Sequence, residues 1–319
     1  MKKQLPTLQH VLTLNSERIS EQEETRRLAE KYYNEVRPLM RALGILALFV
    51  IIGASFKSLS LGFAFLMVFI LVYAILGTLV PTLVGDNYDD KEVKKEIIIR
   101  VLECFGTEIE YFPDSCIPLK AIKKGGIHIK DYRTTVQGMH YFRGYYDSNY
   151  FQFSYLTVNS SSISEYGGSR NYLIVNFNKH TDKQVIVVQD KLEKHLGYLA
   201  NNIQNIATNN SLVKLENADF EKKFAVYSKD QIGARYMLST TMMEKILKLN
   251  TKYKNGVNVS FIDGNMHVDI KWADPFFDYT FNLSDDIKML YGKVYEELFG
   301  LFELIEALDL NKKLWSKQD

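Results

Sequence analysis

The stretch from residue 42 to residue 84 decides how this chain is read: ALGILALFVIIGASF at 42–56, KSLS at 57–60 and LGFAFLMVFILVYAILGTLVPTLV at 61–84. Lys57 is its only charge. A helix needs about 20 apolar residues to cross a bilayer core. The second run, of 24 residues, is long enough. The first, of 15 residues, crosses only where the bilayer thins or flanking residues are drawn in. The break between them suits a turn joining antiparallel helices. The expectation is a transmembrane helical hairpin over 42–84. The competing reading is a buried hairpin of a soluble domain, but soluble core helices seldom stay apolar on every face for so long. A signal peptide does not fit: the run begins behind a charged helical segment, with no short basic leader or small-residue cleavage site before it.

Outward from the hairpin, charge sets the orientation. Arg26, Arg27, Lys31, Arg37 and Arg41 precede it, and Lys91, Lys94, Lys95 and Arg100 follow it. Positive residues stay on the cytoplasmic side. Both termini are therefore expected in the cytoplasm, with the turn facing out, in a multi-pass membrane protein. Gly44, Gly53, Gly62 and Gly77 give small surfaces for helix packing without forming a GxxxG motif.

The 319 residues carry a formal charge of +1, which gives no basic stripe of the kind nucleic acid requires. Three segments are expected: a juxtamembrane helical segment at 1–41, the hairpin at 42–84 and a cytoplasmic α+β domain at 85–319. The domain should be mostly antiparallel and end in a long helix. Its richness in Tyr and Phe suits a packed sheet and argues against disorder. Cys104 and Cys116 have no metal-ligand spacing, and a cytoplasmic site argues against a disulfide.

Residues 16–41 read as a charged helix with Ser20 and Glu23 as a capping box and a break near Pro38. Asp86-Asn87-Tyr88-Asp89-Asp90 lacks the rest of a calcium-loop pattern and reads as a linker and helix start. A helix follows over 90–105. Strands are expected at 108–112, 149–158, 171–178 and 184–188, with a short helix at 114–123, a polar loop from Ser160 to Gly168 and a helix near 190–205. In 171–178, Tyr172, Ile174, Asn176 and Asn178 alternate with Leu173, Val175 and Phe177, as one wet and one buried face require. Next come a strand at 220–227, a helical turn opened by Ser228-Lys229-Asp230, and a helix at 240–249 with Met242, Met243, Ile246 and Leu249 inward. Asp263-Gly264-Asn265 signals a hairpin between 257–262 and 266–272. The last helix, capped by Ser284, has an apolar face too wide for a two-position coiled-coil seam and should pack into the domain.

The string Phe224-Ala-Val-Tyr-Ser-Lys-Asp230, then Ala234-Arg235-Tyr236-Met-Leu238, then Met242 or Met243 in a helix, resembles a bacterial membrane protein family catalogued as domain of unknown function 3137. Val175-Asn-Phe-Asn-Lys179 and the Phe151–Leu156 segment resemble further strands of that family. Gly125-Gly126-Ile127-His128 departs from its small-Gly-Leu-Phe string. The resemblance spans about residues 90 to 310. It implies membrane location and this architecture, and leaves the biochemical role open. The family's genes often neighbour those of LemA-type helical membrane proteins, which implies such a protein as a partner.

No metal-binding helix, phosphate loop or nucleophile elbow is present, so no cofactor is called for. His128 with Asp131 and His180 with Asp182 lack the geometric partner set that acid–base work needs. Asp230 and Arg235, five residues apart across a turn, are candidate contacts for a ligand or partner; a helix cap or ion pair also explains them. Trp272, Phe276 and Phe277, with Tyr279 and Phe281, form an aromatic cluster that either covers the core or offers a partner groove. The function expected is that of a membrane-tethered cytoplasmic scaffold or adaptor binding a protein. The alternative is an enzyme or small-ligand sensor with a pocket near Arg235.

Overall fold

The computed structural model describes residues 5–57, 66–68, 90–106, 108–127, 135–159, 168–176, 183–189, 211–254, 256–271 and 285–308. The chain divides into two compact units: Thr7–Val101 with Tyr279–Tyr295, and Met1–Pro6 with Leu102–Asp278 and Glu296–Asp319.

The first unit is helical. After α1 (Leu8–Leu14), one helical run passes through α2 (Ser16–Lys31), a π-helical turn (Tyr32–Val36) and α3 (Arg37–Lys57). Ser20 lies inside α2, so the expected capping box is not used. Glu23 instead accepts hydrogen bonds from Arg26 at 2.7 Å and from the Ile287 amide at 3.3 Å. Pro38 does not stop the helix. It sits in the first turn of α3, where a missing N–H costs least, directly after the π turn. The N-terminal residues of α4 (Asp90–Phe105) and of α9 (Ile287–Leu308) complete the unit.

Among the described residues no helix is long and apolar enough to cross a membrane, and most of the second half of the expected transmembrane hairpin lies outside those residues. The reason is visible in α3, which gathers the first apolar run into one helix but has Arg37, Arg41 and Lys57 at its ends. The 15 uncharged residues between Arg41 and Lys57 rise about 22 Å, against the ~30 Å of a hydrocarbon core. Of the second run only residues 66–68 are described. Large apolar side chains on α3 nonetheless face outward, among them Leu39, Leu43, Ile45, Phe49 and Ile52.

Among the described residues the second unit is built on a nine-stranded sheet of order β1-β2-β3-β4-β9-β8-β5-β7-β6, antiparallel at every pairing. The strands are β1 (Ile109–Phe112), β2 (Thr135–Tyr146), β3 (Asn149–Asn159), β4 (Gly168–Asn176), β5 (Val185–Gln189), β6 (Ser211–Val213), β7 (Phe224–Ser228), β8 (Val257–Ile262) and β9 (Asn265–Lys271). The short helices α5 (Leu119–Lys124), α6 (Ala218–Glu221) and α7 (Gln231–Met237), with α8 (Thr240–Lys252), fill the connections. The strand expected from 220 begins at Phe224, because Asn217 accepts from the Phe220 amide at 3.0 Å and starts α6. The helix expected at 114–123 begins only after Pro118. The β8–β9 hairpin turns at Asp263 and Gly264, both in the left-handed region, as a type I′ turn requires.

One face of the sheet carries Phe151, Phe153, Leu173, Val175, Val268 and Val259. The C-terminal part of α9 lies on it, with Phe302 against Tyr146 and Phe151. This is the integral packing expected of the final helix; Leu298, Leu301, Ile305 and Leu308 are buried. The other face, expected wet along β4, is covered too. Tyr172 and Ile174 pack with Leu156, Ile117 and Ile122, because the segment carrying α5 lies across the strands. Only Asn176 of the described part of β4 is exposed. The polar loop from 160, the helix near 190–205 and Ser284 lie outside the described residues.

Candidate functional site

Asp230 precedes α7 and caps it: its carboxylate accepts from the Ile232 and Gly233 amides at 3.0 and 2.9 Å. An Asp in this place satisfies donors that the first helical turn leaves free. Ser228 supports the turn, accepting from the Asp230 amide at 3.1 Å and donating to Gln184 O at 2.9 Å. Arg235 is exposed and donates to Gln231 O of its own helix at 3.2 Å. The structure therefore gives Asp230 the capping role and does not pair it with Arg235.

What surrounds Arg235 is apolar. Ile232 and Tyr236 stand one turn apart on α7, and Ile232 is 81% exposed. Arg235 lies between them in the helical sequence. The helix packs on β6, whose Leu212 is also exposed, and Gln231 fixes the contact by donating to Leu212 O at 3.1 Å. Three large apolar side chains thus lie in water beside a guanidinium, with exposed Lys229 at the edge. Met237 and Ala234, on the opposite side of α7, are buried. The exposed set is therefore a face of a fixed helix. Nothing in its spacing announced Ile232, because one isoleucine in a seven-residue helix has no period to violate.

A second polar constellation is internal. On the face of the sheet under α5, Arg170 Nη1 meets Asp269 at 3.2 Å, with Asp269 fully buried and Asn258 donating to the same carboxylate at 3.3 Å. One row along, Tyr172 Oη and His267 Nδ1 lie 3.2 Å apart, and Tyr172 also reaches Ile122 O at 3.5 Å. Gly125 closes the row. Its carbonyl accepts from Ser260 Oγ and from Gln184 Nε2, and a Cβ there would fall 2.5 Å from Tyr172 Oη and 2.7 Å from His267 Nδ1. Burial, with Lys124 acting in the same direction, holds His267 down to about 4. Burial and then Asp269 push Tyr172 well above the ordinary phenol range, against Arg170. A neutral imidazole and an un-ionised phenol, both buried, sit between the sheet and α5.

Trp272, Phe276 and Phe277 lie outside the described residues, as do Tyr279, Phe281, His128, Asp131, His180 and Asp182. Neither Cys104 nor Cys116 is in a disulfide, and burial pushes Cys116 up. Among the described residues no three His, Cys, Asp or Glu side chains are grouped to hold a metal ion.

No curated protein matches the chain. Among solved structures, the mycobacterial trehalose monomycolate transport factor A is similar at 11% identity and a TM-score of 0.33, over 68% of this chain and 94% of that one. A family model described as a protein of unknown function matches residues 171–310, the segment that holds β4, β9, β8, α7 and α9. The matching model is that of DUF3137, a protein family of unknown function.

Proposed function

We propose that the chain is a membrane-tethered adaptor whose sheet-containing unit docks a protein partner on the outer face of α7. The observation that carries this reading is the 81% exposure of Ile232 beside Leu212 and Tyr236. Scattered apolar residues on a surface need no explanation, but exposed apolar, aromatic and arginine side chains on one short helix have the composition of an interaction hot spot. Tethering is supported by the 24 uncharged residues from Leu61 to Val84 and by the outward apolar side chains of α3. Charge around residues 42–84 favours a cytoplasmic location for both termini at a bacterial inner membrane. A LemA-type membrane protein is the partner proposed.

Photo-crosslinking in cells tests the docking. A benzophenone amino acid at position 232 or 236 should give one discrete adduct, lost when Leu212→Asp is added. A benzophenone at exposed Lys248, on α8, is the control. Equal labelling from 232 and 248, or no adduct from either α7 position, would remove α7 as the docking face. Flotation with membrane vesicles after alkaline washing tests the tether: recovery of the full chain in the soluble fraction would end it.

A further inference from the structure

Most elements here are held by apolar side chains, and α2 is not. Its buried residues are Gln22, Arg26 and Ala29. Leu28 points into solvent and Ile19 is half-buried. By contrast α4, in the same unit, buries Ile97, Ile98 and Val101. What α2 offers its neighbours is charge. Arg18 grips Glu96 of α4 with both arms, at 2.8 and 2.7 Å, and Gln22 donates to the same carboxylate at 3.1 Å. Arg100 completes the set around Glu96 at 2.7 Å. Five residues after Arg18, Glu23 reaches the amide of Ile287 that opens α9, while Arg26 and Arg27 hold it from behind at 2.7 and 3.2 Å. Arg26 is itself shared with Glu30 at 3.0 Å.

We propose that α2 is a detachable clasp: a helix seated by polar contacts, which leaves its seat without exposing an apolar face of its own. The cost of undocking an amphipathic helix is set by the apolar area returned to water. On α2 itself Ala29 is the one fully buried apolar side chain, with Ile19 half-buried and Leu28 45% exposed. The polar contacts from α2 to its neighbours are the Arg18–Glu96 ion pair, with 33% and 30% of the two side chains exposed, the Gln22 amide on Glu96, and the Ile287 amide on Glu23, which is 20% exposed. Such pairs weaken with ionic strength. Elements that open at low free energy are those with few buried apolar contacts.

The clasp has somewhere to send its motion. α2 runs without interruption through the π turn into α3, so displacement of α3 acts on the Arg18–Glu96 and Glu23–Ile287 contacts as on the two ends of a lever. Release of Glu23 also uncaps α9, leaving Asp286 as the acceptor for its first amides, at 2.7 Å from the Lys288 nitrogen.

Hydrogen–deuterium exchange of the full chain in detergent micelles, read by mass spectrometry at 0.05 and 1 M NaCl, tests this. A helix of this length is marginal once undocked. Peptides over 16–31 should exchange at least tenfold faster in high salt, with β4, β8 and β9 unchanged. Glu96→Gln should reproduce the effect at low salt, and adding Arg18→Gln should bring little further change. The salt arm needs no variant, so a misfolded mutant does not rescue the idea. Exchange over 16–31 indifferent to salt, or rising only together with the sheet strands, would show α2 to be an inseparable part of the core.

Discussion

Arg170 and Asp269 meet 3.2 Å apart on neighbouring strands, and the carboxylate has no exposed surface. They sit on a sheet face otherwise lined by Tyr172, Ile174 and Leu156. A buried pair owes its survival to both members being present. Removing one strands the other, typically at 3–5 kcal/mol. Asp269→Ala should cost about that much in a denaturant melt. Replacing the pair together, as Arg170→Met with Asp269→Leu, should cost less than the single change. Equal losses would mean the carboxylate is held mainly by Asn258.

His267 links stability to pH. Its folded value, near 4, lies below the unfolded imidazole value near 6.5. Between these the unfolded chain binds the extra proton, so stability is complete above about pH 6.5 and falls as pH drops towards 4. His267→Gln should flatten this part of the curve. Chemical melts at pH 7, 6, 5 and 4.5 on both proteins give the comparison. Parallel slopes would place the proton uptake elsewhere.

Gly125 has an ordinary φ of −61°, so only its surroundings forbid a side chain. Gly125→Ala puts a methyl group against Tyr172 Oη and His267 Nδ1, and overpacking of this kind costs about 1–3 kcal/mol. Tyr172→Phe in the same chain should return part of the loss, since the nearest atom goes. An additive double variant would mean the methyl group is accommodated elsewhere.

Leu298→Ala should cost about 2–5 kcal/mol, as a fully buried leucine loses its transfer energy and leaves a cavity. The midpoint for the wild type should not depend on protein concentration. A strong dependence would point to association through α9 instead.

The sequence announces those elements whose local chemistry and burial agree. The β8–β9 hairpin is legible because Asp263-Gly264 leaves little alternative, and α8 because Met242, Met243, Ile246 and Leu249 share a face that the fold buries. β2 is not. Gly138 and Gly144 blur its alternation, and a bulge between Met139 and Phe142 places His140 at a φ of +57°, so the period of two is lost mid-strand. The polar row on β9 misleads in another way. His267 and Asp269 alternate with Met266, Val268 and Ile270 as a wet face would, and only the segment around α5, distant in sequence, turns that face into interior. In the candidate surface, the cap at Asp230 is readable from its place before a helix. The exposure of Ile232 is a property of what does not cover it.

The side-chain amide of Gln231 occupies the carbonyl of Leu212 on β6, the last of the described strands in the sheet. An outermost strand normally offers its backbone to any extended chain that drifts by, including a copy of itself. Here part of that offer is already taken by the first residue of α7. A greasy residue such as Ile232 can therefore sit at the border of the sheet without inviting a tenth strand through that carbonyl. Edge-to-edge pairing and fibre growth are thereby disfavoured at this border.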